Sequence, residues 1–369
     1  MTQMADPARR LLGIQLARGL AAVLVVLYHA GRGLAPAQYL GAIPLGGVFN
    51  FGHAGIDFFF VLSGFVIFHV HHGDLGTPAA LPRYVWRRLV RIYPIYWLVS
   101  LCVIALALLK PDAGAILTPG ALLKSLLLLP QRADPLLGVA WTLVEEMAFY
   151  LAFALAILSR PLGIAVALAW GAVLLAGLAG IPFDAAAARL LARPYNLQFL
   201  FGIAAAYALP RHPIARPRLL AGLGATAFLL TGLVENAGLI ETARFASKMA
   251  FGLSATAIVL GLAAAERQGR LRIGRAGALL GNASYAIYLI HTIVIGLTAR
   301  VLATTHILPH LPGPMALTLV AATATAAGIA LHQTVERPML AWLAAWAPKA
   351  RRGLRPSTPP RAEPLEPAP

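Results

Sequence analysis

The stretch LLGIQLARGLAAVLVVLYHAG, residues 11–31, decides the class of this chain. It has the length an α-helix needs to cross the hydrocarbon core of a bilayer, about 20 residues. Yet it carries an arginine, Arg18, and a histidine, His29, eleven residues apart. At about 100° per residue, that separation returns the helix to nearly the same face, with a rise of roughly 16 Å. One face of one apolar helix therefore holds a fixed cation and a titratable base. Ionisable groups at membrane depth are costly and are read by default as functional. The structural alternative is that Arg18 pairs with a carboxylate to lock the bundle while His29 anchors at the interface.

Working outward, the whole chain reads the same way. Of its 369 residues, 59% are hydrophobic and only 12% charged, with a mean hydropathy of +0.75. Soluble domains run at about 45–50% apolar and about 25% charged. The expected fold is all-α, a polytopic integral membrane helical bundle. Apolar runs near 12–30, 49–70, 91–109, 140–159, 162–181, 195–210, 219–235, 245–264, 278–301 and 315–334 give about ten transmembrane helices. The run at 121–129 is too short to span and reads as a re-entrant or interfacial segment between Pro119 and Pro130. The first run lacks a small-residue cleavage site and is expected to stay as a helix.

A formal charge of +16 would suit nucleic acid. The basic residues, however, cluster in short connectors, where topology and a cytoplasmic anionic partner explain them. No nucleic-acid partner is expected; the lipid bilayer is the surrounding partner. With Arg9 and Arg10 inside, ten spans also place Arg83, Arg87, Arg88, Arg91, Arg160, Arg211, Arg216, Arg218, Arg267, Arg270, Arg272, Arg275 and the C-terminal arginines inside. That leaves about 20 basic residues inside against about nine outside, as the positive-inside rule requires. Both termini are thus expected on the cytoplasmic side. The membrane domain is read as 1–345, and the Pro- and Arg-rich 346–369 as a disordered cytoplasmic tail. Cys102 is the sole cysteine, so no internal disulfide is possible.

Three constellations carry potential chemistry. In this threading His29, Asp57 and the pair Glu145–Glu146 share the outer half of the membrane, which brings a base and acids to one level. The alternative is a structural polar cluster that satisfies itself. Glu145 and Glu146 point about 100° apart, and spacing does not choose between them. The second constellation is PRYVWRRLVRIYPIYW, residues 82–97, where Arg88 and Arg91 (i, i+3) or Arg87 and Arg91 (i, i+4) line one helix face. Arginine forks suit phosphate, although a positive-inside anchor looks similar. The third is GNASYAIYLIHTIV, residues 281–294, which puts Ser284, Tyr288 and His291 on one face. His291 is either a second catalytic or substrate-positioning group or a core histidine satisfied by a neighbouring hydroxyl; structural support is favoured. Glu336 and Arg337, before Pro338, read as a helix-end cap. The HVHHG stretch at 69–73 has only Asp74 nearby, and no metal site is expected. P-loop, HExxH, GxSxG and CxxC signatures are absent.

Taken together these segments resemble the membrane acyltransferase-3 family, and in particular its exopolysaccharide O-acetyltransferase branch. The likeness rests on Gln15, Arg18-Gly19-Leu20-Ala21 and His29 in the first run, and on Gly55, Asp57, Phe58, Phe59, Ser63, Gly64 and Phe65 in the second. It continues with Arg88, Arg91, Ile92 and Pro94, then Trp141, Thr142, Leu143, Glu146, Phe149 and Tyr150. It ends with Ser284, Tyr285, Tyr288, Leu289 and His291, and with Glu336 to Pro338. The resemblance selects Glu146 over Glu145. One position departs: many relatives carry an acid eleven residues after the first-helix histidine, and here that residue is Leu40.

The resemblance implies an integral membrane O-acyltransferase of the bacterial inner membrane. It would move an acyl group, most simply acetyl, from cytoplasmic acetyl-CoA to a hydroxyl of a polysaccharide or lipid-linked glycan. No bound cofactor is implied; acyl-CoA is a substrate. His29 would be the general base, oriented by Asp57 or Glu146. Arg18, Arg88 and Arg91, with Trp141, Tyr150, Ser284, Tyr288 and His291, would line the substrate sites. A transporter or flippase for an acyl donor or glycan intermediate is the alternative that uses the same buried Arg and His.

Overall fold

The computed structural model describes residues 11–348 apart from 110, 112–113, 115–116 and 243–244. The basic residues Arg9 and Arg10, and the expected tail from 349 onward, lie outside the described residues. Everything described is helix, turn or coil. The long helices are α1 (Leu12–Leu34), α2 (Gly55–His71), α3 (Leu81–Leu108), α5 (Trp141–Leu158), α6 (Arg160–Leu178), α9 (Pro217–Asn236), α10 (Phe245–Arg267), α11 (Arg275–Thr304) and α12 (Gly313–Leu331). Shorter pieces are α4 (Pro119–Leu126), α7 (Ala186–Leu191), α8 (Asn196–Ala208) and α13 (Arg337–Ala344).

Among the described residues, nine helices are long and apolar enough to cross a membrane; α8, with 13 residues, is the short apolar one. This agrees with the expected polytopic bundle. The 121–129 run forms only the eight-residue α4, as its length demanded. Leucines exposed along α3, α6 and α9 face outward, which fits a hydrocarbon surround rather than water.

The packing fixes relative polarity. Asp57, Phe60 and Phe68 of α2 meet Gln198, Phe199 and Tyr207 of α8 in the same order, so the two helices run parallel. Gln15, Arg18 and His29 of α1 meet Gly281, Ser284 and His291 of α11, again in parallel. Both relations match an alternating threading in which α8, despite its length, counts as one crossing. Close approach makes these pairings possible. A Cβ at Gly281 would collide with the Gln15 carbonyl, and one at Gly202 with the Val61 carbonyl. Small residues at helix contacts of this kind are how apolar helices associate inside lipid.

The start of α1 is held from afar. The amides of Leu12 and Gly13 donate to the two carboxylate oxygens of Glu266, at 2.7 and 2.9 Å. An anion at the positive end of the helix dipole satisfies two of its unpaired donors. At the other end of the chain, the expected helix-end cap at Glu336 is corrected. The helix runs on through a π turn, His332–Glu336, into α13. The wider turn rotates Glu336 inward, where it is fully buried.

Candidate active site

One cavity of about 150 Å³ opens between α1, α2, α3, α5 and α11, in the half of the bundle where α1 begins. Arg18, Arg88, Arg91 and Glu146 line it, together with Gln15, Ser63, Thr142, Tyr150, Ser284, Tyr285 and Tyr288. Three arginines thus face one lining carboxylate, Glu146, among hydroxyl, amide and apolar side chains. Such an unbalanced cluster favours an anionic guest.

Each arginine is braced. Arg18 donates from Nε to Ser284 Oγ at 2.8 Å and from Nη2 to the Gly281 carbonyl at 2.9 Å. The carboxylate that the structural reading of Arg18 required is not its partner. Arg88 lies over the rings of Tyr84 and Tyr150, 5.7 and 5.5 Å from their centroids, and its Nη2 stands 3.4 Å from His71 Nε2. Arg88 Nε is buried and, among the described residues, makes no hydrogen bond. Arg91 lies over Tyr285 at 5.5 Å, and its Nη1 is 4.0 Å from Glu336 Oε1. Glu336 is itself held by His332 Nδ1 at 2.6 Å. Glu146 accepts from Ser63 at 2.7 Å and from the Tyr150 hydroxyl at 2.5 Å. It therefore ties α2 and α5 into the arginine wall. Glu145, one residue earlier, points away and pairs with Arg193 at 3.1 Å.

His29 and His291 stand apart from this cavity, in the half where α1 ends. His291 is fully buried, and its Nδ1–H donates to the Tyr288 carbonyl at 2.6 Å. Its Nε2 therefore carries a lone pair. His29 Nδ1 lies 3.2 Å from that Nε2 and 3.0 Å from the Val25 carbonyl, both acceptors. This assigns the proton of His29 to Nδ1 and leaves its Nε2 unprotonated. Among the described residues, no hydrogen bond occupies that Nε2. Tyr288 separates the two halves. Its ring is 5.7 Å from the His291 ring and 5.8 Å from Phe59, and its hydroxyl meets Thr142 Oγ1 at 2.8 Å and the Val139 carbonyl at 2.9 Å.

Several expectations about the site are corrected. His29, Asp57 and Glu146 do not meet. Asp57 is fully buried on Lys248 Nζ at 2.9 Å and Gln198 Nε2 at 3.0 Å. Neither acid orients His29; the Val25 carbonyl and His291 do. Asp57 is consumed by a cation whose position the sequence did not single out. Among the described residues, His291 takes no neighbouring hydroxyl; its partners are the Tyr288 carbonyl and His29. Trp141 lies outside the cavity, packed on Tyr195 at 5.2 Å and under Arg193 at 5.7 Å. Ser284, Tyr288 and His291 do share a face of α11, but each serves a different partner. Among the described residues, no group of three or more His, Cys, Asp and Glu is placed to hold a metal ion.

The sequence reading did not single out Tyr285, Glu336 and His71 as part of the arginine wall. Gln15 was accessible from spacing, since it sits one turn before Arg18 on the same face. The role of Glu336 was not, because it depends on the π turn.

A protein-family profile described as "Acyltransferase domain" matches residues 11–333. The chain belongs to the acyltransferase-3 family. The matched stretch contains every site residue placed above except Glu336. The chain is also 32% identical over 303 residues to the "Exopolysaccharide production protein ExoZ" of Rhizobium meliloti (strain 1021), covering 79% of this chain and 90% of the relative. A second relative, "Protein 2 in picA locus" of Rhizobium radiobacter, is 29% identical over 163 residues, which is 38% of this chain and 80% of that protein. No solved structure matches. This acyltransferase is an integral membrane protein by its apolar helices and its family.

Proposed function

We propose that the chain is an O-acyltransferase that moves an acetyl group from cytoplasmic acetyl-CoA to a hydroxyl of an exported polysaccharide or lipid-linked glycan. The observation that carries this reading is the division of labour between the two halves of the bundle. One half holds the three-arginine cavity and the other holds an imidazole with a free nitrogen. The likeness to an exopolysaccharide production protein supports the glycan acceptor. The basic connectors support a bacterial inner membrane location with the arginine cavity on the cytoplasmic side and both termini there.

On this reading, Arg18, Arg88 and Arg91 grip the phosphates of the donor. Arginine forks do so bidentately, and the buried wall strengthens each contact. The thioester end of the donor then points past Tyr288 toward His29. The acceptor hydroxyl oxygen attacks the thioester carbonyl carbon while His29 Nε2 takes its proton. The carbon–sulfur bond breaks, and the thiolate leaves and recovers the proton as free thiol. General-base assistance of this kind is worth about 10²–10⁴ in rate. Glu146 acts as a positioning residue for the arginine wall.

The test is purified protein in detergent with labelled acetyl-CoA and alkali-deacylated exopolysaccharide. Label transferred to glycan without a sealed membrane is the expected result. Activity that appears only in sealed vesicles refutes the enzyme in favour of transport. Mass spectrometry of surface polysaccharide with and without the gene identifies the acyl group.

A further inference from the structure

A third imidazole, that of His53, packs on the same Tyr28 ring as His29. His53 lies in the 3₁₀ turn Asn50–Ala54 that leads into α2. Its Nε2 meets Glu235 Oε1, in the last turn of α9, at 2.5 Å. The other carboxylate oxygen of Glu235 accepts from Ser247 Oγ, at the start of α10, at 2.8 Å. Three elements far apart in sequence therefore converge on one His–carboxylate pair. Glu235 is 3% exposed in its side chain and His53 is 12% exposed. A carboxylate so placed is satisfied by its partners, and it fixes the ring that meets it.

The consequence is the same as for His29. In the neutral ring, with Nε2 of His53 donating to Glu235, Nδ1 carries the lone pair. Among the described residues, no hydrogen bond occupies that Nδ1. Tyr28 sits between the two imidazoles, edge-on to both, with ring centroids 4.8 Å from His29 and 5.9 Å from His53. The exposed Arg32 lies over the same Tyr28 ring at 5.3 Å. Two histidines flank one aromatic ring, each with one nitrogen tied down and one free. A polyhydroxylated ligand offers the matching chemistry: neighbouring hydroxyls as donors and an apolar sugar face for the ring.

We propose that His53, held by Glu235, is an acceptor-positioning residue. It accepts a hydrogen bond from a hydroxyl adjacent to the one that His29 deprotonates, and it seats a glycan against Tyr28. This inference rests on the acyltransferase reading and names the acceptor half of the same site. His53 forms no bond in the transfer; the proton still goes to His29.

The experiment compares wild-type protein with His53→Gln and His53→Ala, using labelled acetyl-CoA and alkali-deacylated exopolysaccharide. Glutamine keeps an amide N–H for Glu235 but lacks the free ring nitrogen, so it separates anchoring from positioning. Both variants are expected to raise the KM for glycan about tenfold, with the KM for acetyl-CoA unchanged. A His53→Gln protein with a wild-type glycan KM overturns the proposal, even if His53→Ala fails to fold. So does a His53→Gln protein in which donor and acceptor KM rise together, because that marks a purely structural role. A wild-type protein that transfers nothing to glycan overturns the acyltransferase reading itself, and this inference with it.

Discussion

Replacing His291 by alanine tests the arrangement most directly, because the structure gives His291 a role that exists only through His29. Its Nε2 accepts from His29 Nδ1 at 3.2 Å, and it has no place among the residues lining the arginine cavity. Removing it leaves His29 with the Val25 carbonyl, at 3.0 Å, as its remaining acceptor. The lost interaction is one hydrogen bond between neutral groups, about 0.5–1.5 kcal/mol. Looser aim of the ring then lowers kcat by up to about tenfold. His29→Ala removes the base and lowers kcat by about 10²–10⁴. The double variant should be no slower than His29→Ala alone, since a residue that acts through another adds nothing once that other is gone. His291→Gln, which restores an acceptor near the Nε2 position, should recover most of the loss. Initial rates of labelled acetyl transfer at saturating donor and acceptor measure all four proteins. A His291→Ala enzyme at wild-type kcat refutes the orienting role. So does a double variant another tenfold below His29→Ala, which shows that His291 acts independently.

Other predictions probe the remaining parts. Arg88→Ala and Arg91→Ala should each raise the KM for acetyl-CoA by roughly 10–100-fold with little change in glycan KM, as loss of a charge-assisted contact predicts; equal effects on both substrates would argue against a phosphate site. Lys248→Met should destabilise the protein by about 3–5 kcal/mol by stranding Asp57, and Asp57→Leu combined with it should recover much of that; thermal unfolding in detergent measures both, and additive losses would deny the pairing. Gly281→Ala inserts a methyl against the Gln15 carbonyl, and should cost about 1–3 kcal/mol in the same unfolding assay; an unchanged melting temperature would show that α1 and α11 have room to part.

The helices were legible because lipid allows few alternatives: an apolar run of the right length becomes a helix whatever surrounds it. The partners of the polar residues were much less so. Spacing along α11 placed Ser284, Tyr288 and His291 on one face, but it did not say that they would meet Arg18, Thr142 and His29 respectively. Asp57 illustrates the limit. Counting residues from the helix start set it level with His29, yet side-chain direction sent it to Lys248, 191 positions away in sequence. Helices that are apolar all round give no periodic clue to which face meets which neighbour. Glu336 is a different case, since the π turn that rotates it inward has no marker in HQTVERP. Glu146 was chosen over Glu145 by family likeness, and the geometry gives the physical reason: only Glu146 faces Ser63 and the cavity.

The separation of the arginine cavity from His29 has its own logic on the proposed reading. Taking the acceptor's proton turns His29 into an imidazolium. An arginine at 10 Å opposes that charge by about 1.7 kcal/mol at an effective dielectric of about 20. At the roughly 16 Å of helix between Arg18 and His29 the opposition from Arg18 falls to about 1 kcal/mol. Three arginines packed around the base would therefore slow the step they are meant to serve. Placing them beyond the Tyr288 layer keeps their grip on the donor phosphates and spares the base. It also means that only the uncharged thioester arm of the donor has to pass Tyr288 and Phe59. A polar phosphate would have to leave its cations to do so, and the acyl group does not.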